Sequence, residues 1–311
     1  MAQQVAVQPQ VVGPPALSGL VGGGLGRRAS GWENHPTIPM VLMSRFDRLP
    51  SQLQAALAEH RLLKVIAGLT NFDAGSVERI SHAAGLGGAD LIDLACDPEL
   101  VALASAVSSL PICVSAVDPE LFPAAVAAGA AMVEVGNYDA FYPLGRVFDA
   151  AEVLAITRRT RELLPDVVLS VTVPHVLPLD QQEQLAIDLV EAGADLIQTE
   201  GGTSAKPFSP GTLGLIEKAA PTLAATHAIS RALTDAGHQV PVLCASGLSS
   251  VTVPMAIAAG AAGVGVGSAV NRLSDPLAMV AVVRGLREAL DRKSTRLNSS
   301  HRSLSRMPSS A

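Results

Sequence analysis

The sequence predicts an α/β protein of the (β/α)8 TIM-barrel class with a phosphate-binding loop pair at its end. Three observations carry this. One helix–corner–strand unit recurs between about residues 62 and 291. Its strands are short, apolar and β-branched throughout, as parallel strands covered on both faces must be. The last two strands end in adjacent glycine-rich loops, where this fold usually holds phosphate. A doubly wound open sheet would need about five or six strands and a glycine fingerprint after the first, which is absent.

The strands read as 62–69, 91–96, 111–117, 132–137, 167–174, 196–201, 241–247 and 263–269. Helical patterns follow at 73–86, 98–108, 121–129, 150–164, 180–193, 212–236, 251–260 and 275–290. The corners between helix and strand repeat as Gly87-Gly-Ala-Asp90, Ala128-Gly-Ala-Ala131, Ala192-Gly-Ala-Asp195 and Ala259-Gly-Ala-Ala262. Glycine just past a helix takes the left-handed conformation at little cost. A further helix, 51–60, precedes the first strand and is expected to cap the N-terminal end of the barrel.

Apolar residues make up 49% of the chain and charged residues 16%, which suits a large core and excludes a disordered chain. The net charge of −6 argues against nucleic acid as a partner. Residues 292–311 hold five basic residues and no acid, and without them 17 basic residues face 28 acidic ones. An anion site must therefore rest on backbone N–H groups. No uninterrupted apolar run suits a membrane span. Cys96, Cys113 and Cys244 sit in apolar strand runs with no CxxC pair and read as core thiols.

Both ends look foreign to the barrel, which is assigned to 43–291. Residues 1–42 are expected to be disordered. They read either as an acid-poor transit peptide around Arg27 and Arg28 or as an extension upstream of a start at Met43 or Met40. Residues 292–311 carry no helical or strand period and read as a disordered, artefactual tail.

Chemistry in such a barrel belongs at the C-terminal strand ends. Strand seven runs out through Ser246 and Gly247, and strand eight through Gly265, Gly267 and Ser268. Glycine there lets backbone approach a ligand, and exposed N–H groups at the turn bind phosphate. Gly201 and Gly202, after strand six, make a third flexible loop beside Glu200. Several strand positions that should be apolar are polar, among them Lys64, Asp93, Ser115, Glu134, Ser170, Thr172, Gln198 and Glu200. Alternation puts Lys64, Asp93 and Glu134 on one face of their strands. A buried charge must be paired or neutralised, so this is either a structural network or a proton-transfer site. The expected catalytic set is Lys64, Asp93, Glu134, Glu200 and His175, the last at the rim after strand five. The segment 137–142 holds both tyrosines and reads as a lid, a stacking loop or a plug. No HxH or HExxH spacing exists, so no metal site is expected.

The motifs Leu63-Lys-Val-Ile-Ala-Gly-Leu-Thr-Asn-Phe-Asp73, Asp93-Leu-Ala-Cys-Asp-Pro-Glu99, Val133-Glu-Val-Gly-Asn-Tyr-Asp139, Ser170-Val-Thr-Val-Pro-His175, Ile197-Gln-Thr-Glu-Gly-Gly202 and Ala245-Ser-Gly-Leu-Ser-Ser-Val-Thr-Val-Pro-Met255 resemble one family. It is the hypothetical chloroplast reading frame "twenty-three" family of cyanobacteria and algal plastids. The resemblance covers about 45–291. It implies an aldolase-like, phosphate-binding barrel in a cyanobacterial cytoplasm or a plastid stroma, and it carries over no reaction and no catalytic residue.

Three functions stay open at this point. One is an isomerase, epimerase or lyase acting on a small phosphorylated metabolite. There Glu134 or Glu200 would be the base, Lys64 would stabilise developing negative charge, and Lys64→Met would spare folding but abolish turnover. The second is an FMN-dependent oxidoreductase of the nitronate monooxygenase type. The third is a non-catalytic metabolite-binding protein. The expected partner is a small phosphorylated ligand, with no nucleic acid or membrane, and self-association is left open.

Overall fold

The computed structural model describes residues 44–303, with side-chain surroundings through residue 291. The segment 1–42 lies outside the described residues. Eight parallel strands close in sequence order into a barrel: β1 (Leu62–Ile66), β2 (Leu91–Ala95), β3 (Ile112–Ala116), β4 (Met132–Val135), β5 (Val168–Thr172), β6 (Leu196–Gln198), β7 (Val242–Ala245) and β8 (Gly263–Val266). Each ends earlier than its apolar run suggests. The last residues of these runs leave the ladder to form the mouth, and Gly68, Gly136, Gly201 and Gly247 take positive φ there.

Register fixes which side chains fill the barrel. Lys64 pairs with Leu91 and Gly265, Asp93 with Cys113, Ser115 with Glu134, Glu134 with Ser170, and Thr172 with Gln198. Alternation makes these one continuous inward face. The outward residues, such as Val65, Ile92, Val114, Val133, Val171, Ile197 and Val264, form the main core with the surrounding helices.

The lowest interior layer is apolar: Leu62, Leu91, Cys113, Met132, Val168, Leu196 and Leu243. Leu49, together with Leu53 and Ala56 of the helix Ser51–Ala58, seals it from below, so this helix does cap the N-terminal end. The glycines of all four corners, Gly88, Gly129, Gly193 and Gly260, are left-handed. In two corners the aspartate reaches back to the preceding strand. Asp90 Oδ2 accepts from Leu63 N at 2.8 Å, and Asp195 Oδ2 from Leu169 N at 2.9 Å, while Arg287 and Arg161 neutralise the two carboxylates. These contacts satisfy strand N–H groups at the base of the barrel, where this fold keeps its stability.

All three cysteines are buried and free. Among the described residues no helix is long and apolar enough to cross a membrane. The last helix, Pro276–Ser303, continues twelve residues past the expected boundary at 291. Between Leu286 and Ser303 no Gly or Pro stops it, and each added residue closes one more backbone hydrogen bond. Residues 304–311 lie outside the described residues.

Two glycines test the packing of this helix. A Cβ on Gly87 would sit 2.4 Å from Val283 Cβ, whereas one on Gly285 would meet nothing within 4 Å. Gly87→Ala is expected to lose about 1–3 kcal/mol through overpacking. Gly285→Ala is expected to gain up to about 1 kcal/mol from helix propensity alone. Urea denaturation of both variants checks the opposite signs.

Candidate functional site

Halfway up the barrel the interior turns from apolar to charged. Lys64 Nζ, on β1, lies 2.5 Å from Glu134 Oε2 of β4, across the barrel interior, and 3.3 Å from Asp93 Oδ2 of the neighbouring strand β2. Ser115 Oγ donates to Asp93 Oδ1 at 2.6 Å. Ser170 Oγ donates to Glu134 Oε2 at 3.0 Å, while Thr172 Oγ1 and Gln198 Nε2 donate to its Oε1 at 3.3 and 2.6 Å. Gly136 makes room for this arrangement, because a Cβ there would lie 2.4 Å from Thr172 Cβ. Lys64, Asp93 and Glu134 are all at most 1% exposed.

Burial by itself would lower the pKa of the Lys64 ammonium. The Glu134 and Asp93 carboxylates outweigh that and hold it above its ordinary value. Burial raises Asp93 to about 6, against the pull of Lys64 and with the push of Glu134. Cys113 borders the same layer, and burial drives its thiol well up, so it is a neutral filler.

A second network occupies the mouth. Glu200 Oε1 accepts from Tyr142 Oη at 2.5 Å and from His175 N at 3.2 Å, and lies 3.1 Å from His175 Nδ1. Its Oε2 accepts from Asp139 N at 3.2 Å. Asp139 in turn accepts from Ser204 Oγ at 3.1 Å and Ser246 Oγ at 2.9 Å. Burial raises the Glu200 carboxyl, and the Asp139 charge adds to this against the His175 and Tyr142 hydrogen bonds. For His175, burial opposes protonation, but the hydrogen bond and charge of Glu200 leave it raised overall. Asp139, His175 and Glu200 offer donor atoms within 4.8 Å of one another, a spacing that would admit a cation. The hydrogen bonds just given account for their positions without one.

Above the lower network lies a cavity of about 120 Å³, lined by Ile66, Asn137, Gln198, Thr199, Glu200, Thr203, Ala245, Ser246, Gly247, Gly267 and Ser268. Three non-glycine residues among those described have positive φ, and two of them, Asn137 and Ser246, line this cavity. Such strain persists only where its surroundings impose it and clusters at working sites. The loops after β6 and β7 touch backbone to backbone here: a Cβ on Gly202 would lie 2.4 Å from Ser246 O, and one on Gly247 2.7 Å from Gly202 Cα. Thr203 N and Oγ1 close the contact on Ser246 Oγ at 2.8 and 3.1 Å. Asn271 Nδ2 ties the loop after β8 to Ile66 O at 2.8 Å. A larger hollow of about 270 Å³ opens at the opposite end, between His60, Ser230 and His238. It lies at the N-terminal face, where this fold carries stability and not chemistry.

The expected site residues therefore divide. Glu200, Ser246, Gly247, Gly267 and Ser268 line the mouth cavity. Gly201 and Gly202 shape its wall: a Cβ on Gly201 would press on His175 and Pro221. Gly265 lies beneath it, where a Cβ would meet Ala245, Ile66 and Gln198. His175 holds Glu200 from the rim. Lys64, Asp93 and Glu134 come together as expected, yet none lines the cavity, since Gln198 and Ile66 stand between. The segment 137–142 splits its roles. Tyr138 is a fully buried plug against Phe148, with ring centroids 4.6 Å apart, and Tyr142 is a hydrogen-bond donor to Glu200. Asp139 and Tyr142 were missed because loop positions have no period that marks a direction. Gln198 did carry a signal, as the one amide on the inward face of a strand.

Residues 49–296 match the family described as "Protein of unknown function (DUF561)". The chain is 42% identical over 243 residues to "Uncharacterized protein ycf23" of Cyanophora paradoxa, covering 78% of this chain and 95% of that protein. The chain belongs to this family, as its strand motifs suggest. Among solved structures it is similar to 3-hexulose-6-phosphate synthase, with TM-score 0.50 and 19% identity over 73% of this chain and 99% of that one. It is also similar to (S)-3-O-geranylgeranylglyceryl phosphate synthase of Thermoplasma acidophilum in complex with its substrate sn-glycerol-1-phosphate, with TM-score 0.50 and 13% identity over 77% of this chain and 98% of that one. At these identities the likeness shows the barrel fold alone.

Two outcomes follow from the lower network. Lys64→Met strands two buried carboxylates. It is expected to cost roughly 3–5 kcal/mol in urea denaturation, so the expectation that it spares folding is withdrawn. Asp93 has a folded pKa of about 6 against an ordinary 3.8, so the native state takes up its proton first. Its contribution to stability is full below the ordinary value and is lost as pH rises through the folded one. The stability difference between wild type and Asp93→Asn should therefore fall from about pH 4 to about pH 6. A flat difference over that window would mean that Asp93 titrates normally.

Proposed function

We propose that this member of the family is an enzyme of isomerase, epimerase or lyase type that acts on a small phosphorylated metabolite, with Glu200 moving the proton. The observation that carries the reading is the position of Glu200: a buried carboxylate of raised pKa in the wall of the mouth cavity, facing the loops after β7 and β8. Ser246, Gly247, Gly267 and Ser268 would hold the phosphate, largely through backbone N–H groups, as a chain of net acidic charge requires. The fold neighbours support this reading in kind, since the synthase complex holds a glycerol phosphate.

In this mechanism the Glu200 carboxylate takes a proton from the carbon beside a substrate carbonyl. The C–H electron pair moves into the new C=C bond, and the carbonyl oxygen gains the negative charge. Return of the proton to the former carbonyl carbon, with the hydroxyl proton of the neighbouring carbon passing to the enolate oxygen as that carbon becomes the new carbonyl, gives an isomer; return to the opposite face of the same carbon gives an epimer. Raising a carboxylate toward the working pH makes it a better base there. Tyr142 and His175 hold its Oε1, and His175 at the rim links it to solvent for proton exchange. Lys64, Asp93 and Glu134 act from below as positioning residues. A cavity of about 120 Å³ favours a small ligand over a flavin, since pockets for larger ligands run to roughly 300–1,000 Å³. The reading assigns the protein to a plastid stroma or a cyanobacterial cytoplasm, supported by its relative in Cyanophora paradoxa.

The test is solvent deuterium exchange. The full chain is incubated in D2O with a panel of aldose, ketose and oxo-acid phosphates, and mass spectrometry reads incorporation beside the carbonyl. At least one compound should exchange, and Glu200→Gln should slow that exchange by about 10²–10⁴-fold. Tight binding of a phosphate ester with no exchange across the panel would make the protein a non-catalytic binder.

A further inference from the structure

Gln198 joins the two tiers of the barrel, and its orientation is imposed. Its Nε2 donates to Glu134 Oε1 at 2.6 Å and to Thr172 Oγ1 at 3.2 Å. Glu134 is ion-paired with Lys64, and a carboxylate only accepts hydrogen bonds. The amide must therefore turn its nitrogen down toward Glu134, which leaves Oε1 turned away from the network. That oxygen is buried and has no hydrogen-bond partner among the described residues, although Gln198 is only 2% exposed. A native fold rarely leaves a buried acceptor unmatched without a use for it.

The direction in which Oε1 faces follows from Gly265. A Cβ on that residue would lie 2.9 Å from Ala245 Cβ, 3.0 Å from Ile66 Cδ1 and 3.4 Å from Gln198 Oε1. Ala245, Ile66 and Gln198 all line the mouth cavity. The gap left by the missing side chain of Gly265 is thus the floor of the cavity, and the orphaned oxygen borders it.

We propose that Gln198 Oε1 is the specificity-determining acceptor of this site. It receives a hydroxyl of the ligand, so the ligand is a polyol or sugar phosphate with a free hydroxyl directed to the floor. This rests on the reading that the loops after β7 and β8 take the phosphate. The buried Lys64–Glu134 pair thereby gains a role in recognition: it fixes the amide so that an acceptor, and not a donor, meets the ligand. A site built this way rejects an ester of the same length that lacks the hydroxyl, because the buried acceptor is then left unpaired.

Isothermal titration calorimetry on the full chain with inorganic phosphate, propyl phosphate and glycerol 3-phosphate tests the proposal. Wild type should bind glycerol 3-phosphate at least about tenfold more tightly than propyl phosphate. Gln198→Met keeps the side-chain length and removes the amide, and it should bring the two esters within about twofold. Gly265→Ala, which fills the floor against Ala245, Ile66 and the Gln198 oxygen while leaving the amide in place, should also abolish the preference yet still bind inorganic phosphate. Equal affinity of wild type for the two esters would overturn the role of Gln198 and leave the phosphate reading standing. If wild type binds none of the three, the phosphate reading fails and takes this inference with it.

Discussion

The ion pair between Lys64 and Glu134 is the constraint around which the interior is organised. Two charges with no exposure to solvent are tolerable only when the geometry is close and every remaining lone pair is engaged. Here a contact of 2.5 Å is backed by Ser170, Thr172 and Gln198 on the glutamate and by Asp93 on the lysine. These partners come from four strands, β2, β3, β5 and β6, if Ser115 on Asp93 is included, so with β1 and β4 themselves the pair engages six strands of the ring. Hydrophobic residues of equal volume would give similar stability. What they would not give is a set direction for the Gln198 amide.

The same pair divides the barrel into tiers. Below it the interior is a closed apolar layer capped by the helix Ser51–Ala58. At its level the groups are charged but out of reach. Above it lies the cavity, whose only carboxylate lining residue is Glu200. Charge at the middle level can act on a ligand only through Gln198 or through the field it projects upward. This is why the proposed chemical role goes to Glu200, and why Lys64, Asp93 and Glu134 are better regarded as the frame that holds the floor.

Much of this was legible in the sequence. All eight strands could be read because a buried parallel strand is a mostly apolar run, and four of the corners because a left-handed glycine follows the helix there. The inward charges stood out because period-two alternation assigns Lys64, Asp93 and Glu134 to a face. Alternation gives a face but not a height. How far up the barrel a side chain stands depends on the stagger between strands, which pairs Lys64 with Leu91 on one side and Gly265 on the other. The sequence alone could not show that Glu134 is sealed while Glu200, two inward positions further along the barrel wall, is open. Asp139 and Tyr142 reach Glu200 from irregular backbone, where no periodicity marks direction. The extent of the last helix was also hidden, because a basic, serine-rich composition reads as coil although nothing in it stops a helix already under way.

The strands do not contribute equally to the mouth. The cavity draws on β1, β6 and β7, on the residues just beyond β6, β7 and β8 and on Asn137 after β4, and on nothing from β2, β3 or β5. On β8 both inward positions are glycine, Gly263 and Gly265, and Gly267 follows just past its end, so that side of the barrel has no side chain to fill it. Gly263 uses the freedom for packing alone, since a Cβ there would lie 2.6 Å from Leu62 Cβ. Higher up the same absence becomes open space. The barrel thus carries its polar side chains on the arc from β1 to β6 and its emptiness at β8, with Gln198 where the two meet. A ligand of the proposed kind, entering from the mouth, would be led toward the β7–β8 side by space and held at the β6 side by polarity. That asymmetry would orient a small molecule with its anionic end on the glycine loops and its reactive carbon toward Glu200.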